Sequence, residues 1–330
     1  MSNKQLTVPE ESDGVRLDRF LAESLSLYSR SQLQEMIVSG KVTGIRALEK
    51  SRLLMRAGET LSIELPDPDQ ILSAVEGQLP ILFENEQIIV IDKPAGLPVH
   101  PIALGAGTSV VQILLSMRPE LIEAVYDPDS KISRLRPGIV HRLDKDTTGV
   151  LVIAKSRSVL LELAEQFRTH QVYKIYSALL SGDLPHAKTV DAPLQRKPGR
   201  ENMMGIAKDP EQGREAISHF LPLEHFRMAD GLPACYVNCQ IETGRTHQIR
   251  AHAKSIGLPV IGDQRYGNRP SEAIAKKLDI TRQMLHAHQL SLKINEKLMT
   301  FTSPLPTDFS APLDRLRHLA FDNASTGMVT

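Results

Sequence analysis

Cysteine is nearly absent: the chain has only Cys235 and Cys239. They lie four apart in a run that alternates like a strand, which separates their Cα atoms by about 13 Å at a rise of ~3.3 Å per residue. That distance excludes a disulfide between them. With no further cysteine to complete a ligand set, a zinc site of the paired-cysteine type is excluded as well, and the two read as buried packing thiols. There is also no excess of charge, since 39 Lys and Arg face 39 Asp and Glu. A uniformly basic nucleic-acid binder is thereby excluded, although a zero total can hide local asymmetry. Nor does any stretch approach the roughly 18 apolar residues of a membrane span, and Met1 to Asp13 is polar and acidic, without the apolar core of a signal peptide. A cytoplasmic chain with no membrane partner is expected. Internal repeats and low-complexity tracts are missing too.

What is present is 330 residues, 41% of them hydrophobic, enough for two ordinary domains and a sizeable core. The charge is locally uneven. Between Arg30 and Arg56, the basic residues Arg30, Lys41, Arg46, Lys50, Arg52 and Arg56 face only Glu35 and Glu49. A second basic loop carries Lys188, Arg196, Lys197, Arg200, Lys208 and Arg214. Taken alone, either run reads equally well as a solvated surface.

Residues 14–66 read as a small module. Leu17, Phe20, Leu21 and Leu25 form the apolar face of one helix; a second, capped by Ser29 or Ser31, buries Leu33, Met36 and Ile37 before Gly40 stops it. The alternation Thr60 to Leu65 reads as an edge strand, and Pro66-Asp67-Pro68-Asp69 closes the module. Residues 1–13 are expected to be flexible, 67–79 to be a linker, 80–318 to form the main domain and 319–330 a loose tail. From Ile81 on, strands and helices mix without a βαβ repeat, so the fold class is α+β around a mainly antiparallel mixed sheet. Strands are predicted at Ile81 to Phe83, Ile88 to Ile91, Ile139-Val140, Val150 to Ala154, Val172 to Leu180, Ala216 to Leu221, Ala234 to Ile241 and Leu285 to Ile294. A helix is predicted over Val159 to Phe167.

Two segments carry chemistry. In Gly138 to Val152, the polar turn His141-Arg142-Leu143-Asp144-Lys145-Asp146-Thr147-Thr148-Gly149 lies between apolar strands, a costly place for charge unless something binds there. Either carboxylate can serve as a turn former, and Asp146, followed by two threonines and a glycine, reads equally as that or as a functional acid; Asp144 falls at the end of a predicted strand, where a side chain is held more rigidly. In Glu242 to His252, Gly244 permits a tight turn and Thr246 can cap a helix beginning at His247. The pairs His247/Arg250 and Gln248/His252 can each share a face, and with Arg245 such donors at a helix start suit an anionic partner. A surface helix with ordinary salt bridges would look the same. Lys174-Ile175-Tyr176 lies on a predicted strand, where a tyrosine is usually a half-buried packing residue.

These pieces have an order. Asp92-Lys93-Pro94-Ala95-Gly96-Leu97-Pro98-Val99-His100-Pro101, His141 to Gly149, Lys174-x-Tyr176, Gly244 to His252 and Arg282-Gln283-Met284-Leu285-His286-Ala287 resemble, in succession, the signatures of the RluA/RluD family of pseudouridine synthases. The module before Pro66 resembles the small α-L RNA-binding domain shared with a ribosomal small-subunit protein. The likeness spans roughly residues 15 to 315. It implies a cofactor-free and metal-free RNA isomerase, monomeric, with ribosomal RNA of the large subunit as the leading partner. By the same resemblance Asp144 corresponds to the catalytic aspartate, Tyr176 to the tyrosine that contacts the target uracil, Arg250 to the arginine paired with the aspartate, and Arg142 to a residue that fills the space of a flipped base. His141, Thr148, Arg245, His247 and Gln248 are then expected to contact substrate. Arg30, Lys41, Arg46, Lys50, Arg52, Arg196, Lys197 and Arg200 are expected to contact RNA phosphates.

Other classes fit less well. His141-Arg142-x-Asp144 resembles a kinase catalytic loop, but Leu143 interrupts it, no Asp-Phe-Gly follows and the third glycine of a phosphate loop is missing. The imidazole pairs His247/His252 and His286/His288 have spacings of five and two, which do not match a zinc helix pair. The remaining alternatives are a catalytically silent RNA-binding or ribosome-assembly factor and an isomerase acting on transfer RNA.

Overall fold

In the computed structural model, the described residues are 2–25, 28, 30–44, 50–65, 72–101, 107–125, 136–197, 199 and 203–326. They fall into two compact units, one comprising Met1–Gln78 and Pro98–Gly138, the other Leu79–Leu97 and Ile139–Thr330. Residues 98–138 thus group with the N-terminal part of the chain, and the interval expected as one domain, 80–318, is interrupted.

In the first unit, β1 (Ser2–Thr7), β2 (Val42–Gly44) and β3 (Thr60–Leu65) form an antiparallel sheet with β3 in the centre. The residues expected to be loose at the N-terminus therefore begin with a strand, and Leu6 opposes Leu61 across it. Two helices, α1 (Leu17–Ser24) and α2 (Arg30–Val38), supply the predicted apolar faces: Leu17, Phe20, Leu21, Leu33, Met36 and Ile37 are all buried with Ile63. Ser31 lies inside α2 rather than capping it, and Ser29 is outside the described residues. Asp18, fully buried, accepts from Arg16 Nε and Nη2 and from Gln34 Nε2, at 2.8–3.1 Å, which ties α1 to α2. Farther along come α3 (Val110–Met117), capped by Ser109, and the single turn α4 (Leu121–Ala124).

The second unit is built on one large sheet. Its strands are β4 (Ile81–Glu84), β5 (Ile88–Lys93), β6 (Thr148–Ala154), β7 (Tyr173–Ser181), β8 (Lys188–Asp191), β11 (Ile217–Arg227), β12 (Pro233–Ile241), β13 (Leu285–Ile294) and β14 (Lys297–Thr302). The order is β4-β5-β6-β13-β7-β12-β11-β8, with β14 beside β13. A separate two-stranded ribbon joins β9 (Leu194–Arg196) to β10 (Met204–Ile206). All pairings are antiparallel except β6 with β13, so the fold is α+β with a mixed sheet. Around it lie α5 (Arg157–Arg168), α6 (Gln248–Ser255), α7 (Arg269–Lys277) and α8 (Thr307–Thr326). The last of these runs into the stretch expected to be a tail, and its Phe309, Leu313 and Leu316 are buried in the core. Cys235 and Cys239 are free and buried on β12.

Ile139-Val140 is not a strand: it makes one isolated bridge, Ile139 to Ile153, and the chain through Asp144 is irregular. Asp144 therefore owes its position to other contacts. The turn that follows it is clamped through its carbonyls. Lys93, fully buried, donates to the carbonyl oxygens of Pro94, Leu97 and Lys145 at 2.7, 2.8 and 2.9 Å. Arg282, held by Asp308, donates to the carbonyl of Asp146 at 3.2 Å. Burial pulls the Lys93 ammonium down to about 7, against the opposing charges of Asp146 and Asp144.

The parallel contact that carries this turn toward β13 depends on Gly149. It has φ +112°, and a Cβ there would lie 2.2 Å from the carbonyl oxygen of Ala287. Gly149→Ala is expected to destabilise the second unit by about 2–3 kcal/mol, combining a left-handed backbone with a backbone clash. Gly244→Ala, where a Cβ meets open space and φ is not positive, is expected to stay within ~0.5 kcal/mol of wild type. Denaturant titration of both variants measures the difference.

Candidate active site

The charged centre of the second unit is a guanidinium shared by two carboxylates. Arg250, in the first turn of α6, gives Nε and Nη2 to Asp263 at 2.6 and 2.9 Å and Nη1 to Asp144 Oδ2 at 2.8 Å. The Asp263 side chain is fully buried and that of Arg250 is 6% exposed, while Asp144 retains 18%. Burial opposes the charge of both inner partners; their pairing outweighs it, so the Arg250 guanidinium is pushed up and the Asp263 carboxyl is held below the usual carboxylate range. Asp263 Oδ1 also accepts the backbone N–H groups of Arg265 and Tyr266, both at 3.0 Å. The Tyr266 ring lies 5.1 Å from the guanidinium carbon and completes the seat of Arg250.

Asp144 opens into a solvent-open cleft lined by Arg142, Thr147, Tyr176, Arg245, His247 and Arg250, with Leu143, Ile241, Ile249 and Leu285 among its apolar wall. Tyr176 comes from β7, where its Cα pairs with Cys239 of β12 and Ala287 of β13. Burial, then the charge of Asp144, pushes its phenol above the ordinary tyrosine range, so it stays protonated at neutral pH. Arg142 is exposed at the cleft. Arg245 is anchored by Nε to the carbonyl of Glu215 at 2.8 Å. His247 places Nε2 3.9 Å from Asp144 Oδ1, an ion-pair distance but not a hydrogen bond.

Asp144, Tyr176, Arg250, Arg142, Arg245 and His247 thus meet at one cleft, and three other sequence-derived candidates serve the fold instead. His141 turns to β6, where Nε2 accepts the N–H of Val152 at 3.0 Å and the ring stacks on Phe167. Burial, with the nearby Lys174, lowers it to about 3. Thr148 is buried with Oγ1 2.9 Å from His286 Nδ1 and does not line the cleft. Gln248 touches the cleft wall, yet its amide is consumed internally: Oε1 accepts from Thr243 Oγ1 and Arg245 N, and Nε2 donates to the Ile217 carbonyl and Ser218 Oγ. His252 also reaches Ser218 Oγ, at 2.9 Å. The predicted Thr246 cap is not formed either. The helix starts one residue later, with His247 as its N-cap in the left-handed region, φ 54°.

Asp263 was not anticipated. Its signal is Gly262-Asp263-Gln264-Arg265-Tyr266-Gly267, an acid after a glycine in a turn, which matches many ordinary turns equally well. Thr147 likewise lines the cleft while its neighbour Thr148 does not. Among the phosphate-contact candidates, Lys50, Arg52, Arg196 and Lys197 are exposed and Lys41 is half-buried; Arg30 opens α2, and Arg46 and Arg200 lie outside the described residues. No group of acidic, histidine or cysteine side chains among the described residues could hold a metal ion, and none of the described helices is long and apolar enough to cross a membrane.

Comparison with known proteins identifies the family. The family model for RNA pseudouridylate synthase matches residues 87–255. The ribosomal large subunit pseudouridine synthase D of Nitrosomonas europaea is 38% identical, over 97% of this chain and 90% of that one. The corresponding protein of Pseudomonas aeruginosa is 36% identical, over 96% and 97%. Among solved structures, human RNA pseudouridylate synthase domain containing 4 superposes with a TM-score of 0.56 at 29% identity, covering 72% of this chain and 93% of that one. With its fold and its sequence in agreement, the chain belongs to the RNA pseudouridine synthase family of isomerases.

Proposed function

We propose that this protein converts uridines of structured RNA, in the first place large-subunit ribosomal RNA, to pseudouridine, with Asp144 as the nucleophile. The observation that carries this reading is that Arg250 tethers Asp144 through Oδ2 alone, so that Oδ1 remains available at a cleft that also holds Tyr176. The isomerisation opens the bond from sugar C1′ to uracil N1, turns the base, and joins C5 to C1′, with a proton lost from C5 and one gained at N1. Product and substrate contain the same atoms, so no oxidant or reductant is consumed, and a carboxylate can carry the step without a metal. The Tyr176 ring supplies a face on which the uracil stacks, worth ~1–3 kcal/mol per base. Arg142, exposed at the cleft, fills the gap left by the flipped base. The names of the D-type relatives support ribosomal RNA as the substrate class.

Asp144→Asn keeps the shape of the side chain and removes its nucleophilicity. It is expected to lower pseudouridine formation by roughly 10³-fold or more while RNA affinity stays near wild type. Tritium release from 5-tritiated uridine in RNA measures it, and substantial residual turnover would discard the assignment. Wild-type turnover is expected to persist in excess chelator. Asp263→Asn leaves the buried Arg250 with one carboxylate, so it is expected to lose about 3 kcal/mol of stability together with most of the activity.

The module containing α1, α2 and the three-stranded sheet is proposed as an RNA-binding element of the α-L type. Lys50, Arg52 and Arg56 line one shallow groove of it beside the exposed Leu54. Replacing these three basic residues by Ala is expected to weaken RNA binding and to flatten the slope of log Kd against log salt by roughly two, as each lost phosphate contact releases fewer counterions. An unchanged slope would remove this groove from the RNA path.

A further inference from the structure

His247 enters the cleft with one ring nitrogen engaged and the other free. Its Nδ1 lies 3.0 Å from the Tyr266 hydroxyl, whereas Nε2, 3.9 Å from Asp144 Oδ1, makes no hydrogen bond among the described residues. The Tyr266 hydroxyl in turn accepts the backbone N–H of Met204, on β10, at 2.7 Å. A phenol has a single proton to give. One lone pair of its oxygen is taken by Met204, and the one other hydrogen-bond partner of that oxygen among the described residues is His247 Nδ1. Tyr266 is 1% exposed, so a proton directed elsewhere would leave a buried O–H unmade, at a cost of about 1–3 kcal/mol. The phenolic proton therefore points at Nδ1.

The groups facing His247 are Asp144, Arg250, Arg265 and Asp263, together with the Tyr266 ring edge-on at 5.6 Å. Burial is the largest influence on the imidazole and, with the two arginines, holds it below the ordinary histidine range against the pull of the two carboxylates. Burial also keeps the proton on Tyr266. A neutral imidazole that accepts at Nδ1 carries its own proton at Nε2.

We propose that Tyr266 is a positioning residue that fixes His247 as the Nε2–H tautomer, and that His247 donates this N–H to a carbonyl oxygen of the uracil held beside Asp144. The inference rests on the cleft being the uridine site. When the bond between C1′ and N1 opens, its electron pair stays with the uracil and spreads over N1 and the carbonyl oxygens. A fixed N–H donor lowers the energy of that charge without giving up its proton. Because the Met204 N–H belongs to the ribbon of β9 and β10, whose exposed Arg196 and Lys197 are candidates for phosphate contact, the seating of the ribbon sets the orientation of Tyr266.

Two measurements on the full chain decide it. Long-range proton–nitrogen spectra of ¹⁵N-histidine protein at neutral pH, assigned by the signal lost in His247→Gln, are expected to show His247 protonated at Nε2 and accepting at Nδ1. A signal from the opposite tautomer, or from the imidazolium, overturns the proposal. Tyr266→Phe keeps the packing ring and is expected to mix the two tautomers and to lower kcat roughly ten- to hundredfold, with KM for RNA near wild type. His247→Gln, which retains an N–H donor, is expected to keep more activity than His247→Ala. A Tyr266→Phe protein with reduced melting temperature but wild-type kcat and an unaltered His247 spectrum makes Tyr266 a packing residue and overturns the relay. A wild-type protein with the Nε2–H spectrum that forms no pseudouridine overturns the proposed function and the uracil contact, not the tautomer.

Discussion

The structure turns on one guanidinium that is not free to choose its partner. Arg250 is almost fully buried, and a buried cation is tolerable only when its donors are met by good acceptors. Asp263 meets two of them in a bidentate pair and is itself braced by two backbone N–H groups. The planar fork then leaves Nη1 aimed at a fixed point, and Asp144 Oδ2 occupies that point. A lysine could supply the charge but not this division of labour, since its single ammonium cannot hold one carboxylate in two places while directing a third donor at another. The inner carboxylate serves to orient the arginine, and the arginine serves to orient the outer carboxylate by one of its two oxygens.

The scaffold brings the other half of this pair to the same place by an unusual route for a largely antiparallel sheet. The chain leaves the Asp144 turn into β6, and β6 meets β13 in the one parallel contact among the described residues, through Thr148 and Gly149. On the opposite edge of β13 lies β7, with Tyr176 in register with Ala287, the residue also opposite Gly149. Gly149, Ala287 and Tyr176 thus form a row across three strands, and the turn carrying Asp144 leads directly into the β6 end of it. Regular hydrogen bonding stops there. Backbone carbonyls of the turn are taken up by Lys93 and Arg282 instead, two cations reaching in from distant parts of the chain. Fixing main-chain atoms leaves the Asp144 side chain unobstructed.

Much of this was legible in the sequence where burial imposes a period. The alternating runs became β7, β12 and β13 within one residue, the run from Ala216 to Leu221 became the first half of the longer β11, and the apolar faces around Leu21 and Leu33 became α1 and α2. Asp144, Tyr176 and Arg250, singled out because the ordered motifs resemble a known family, do meet at one cleft. Elsewhere the reading failed for identifiable reasons. Ile139-Val140 is apolar but has only one bridge, because the His141 imidazole, rather than a neighbouring strand, takes the Val152 N–H. Gly244 was credited with a turn that its backbone does not need, while the left-handed residue is His247, a position no composition rule singles out. Asp263 lies 13 positions from Arg250, and only the fold of Val260 to Gly267 back onto α6 makes it a partner.

His141, Thr148 and Gln248 teach a more general point. Residue type announces hydrogen-bonding capacity, but it does not announce where that capacity is spent. Gln248 has an amide oxygen and an amide nitrogen, and each already serves two partners within the fold, so nothing remains for a ligand despite its place on the cleft wall. Thr148 and His286 satisfy one another, and His286 continues to the Ser303 carbonyl. Subtracting such groups from the polar residues at the cleft leaves Asp144 Oδ1, the Tyr176 hydroxyl, His247 Nε2 and the terminal nitrogens of Arg245 without a hydrogen bond among the described residues, together with the exposed Arg142. None of these atoms is among the buried side-chain atoms without a partner, so all are open to the cleft rather than sealed in the core. An acceptor, a hydroxyl and an N–H donor left open around one cleft are what a planar base with carbonyl oxygens and a ring N–H would complete, and capacity left unspent at a cleft is a better guide to chemistry than residue type alone.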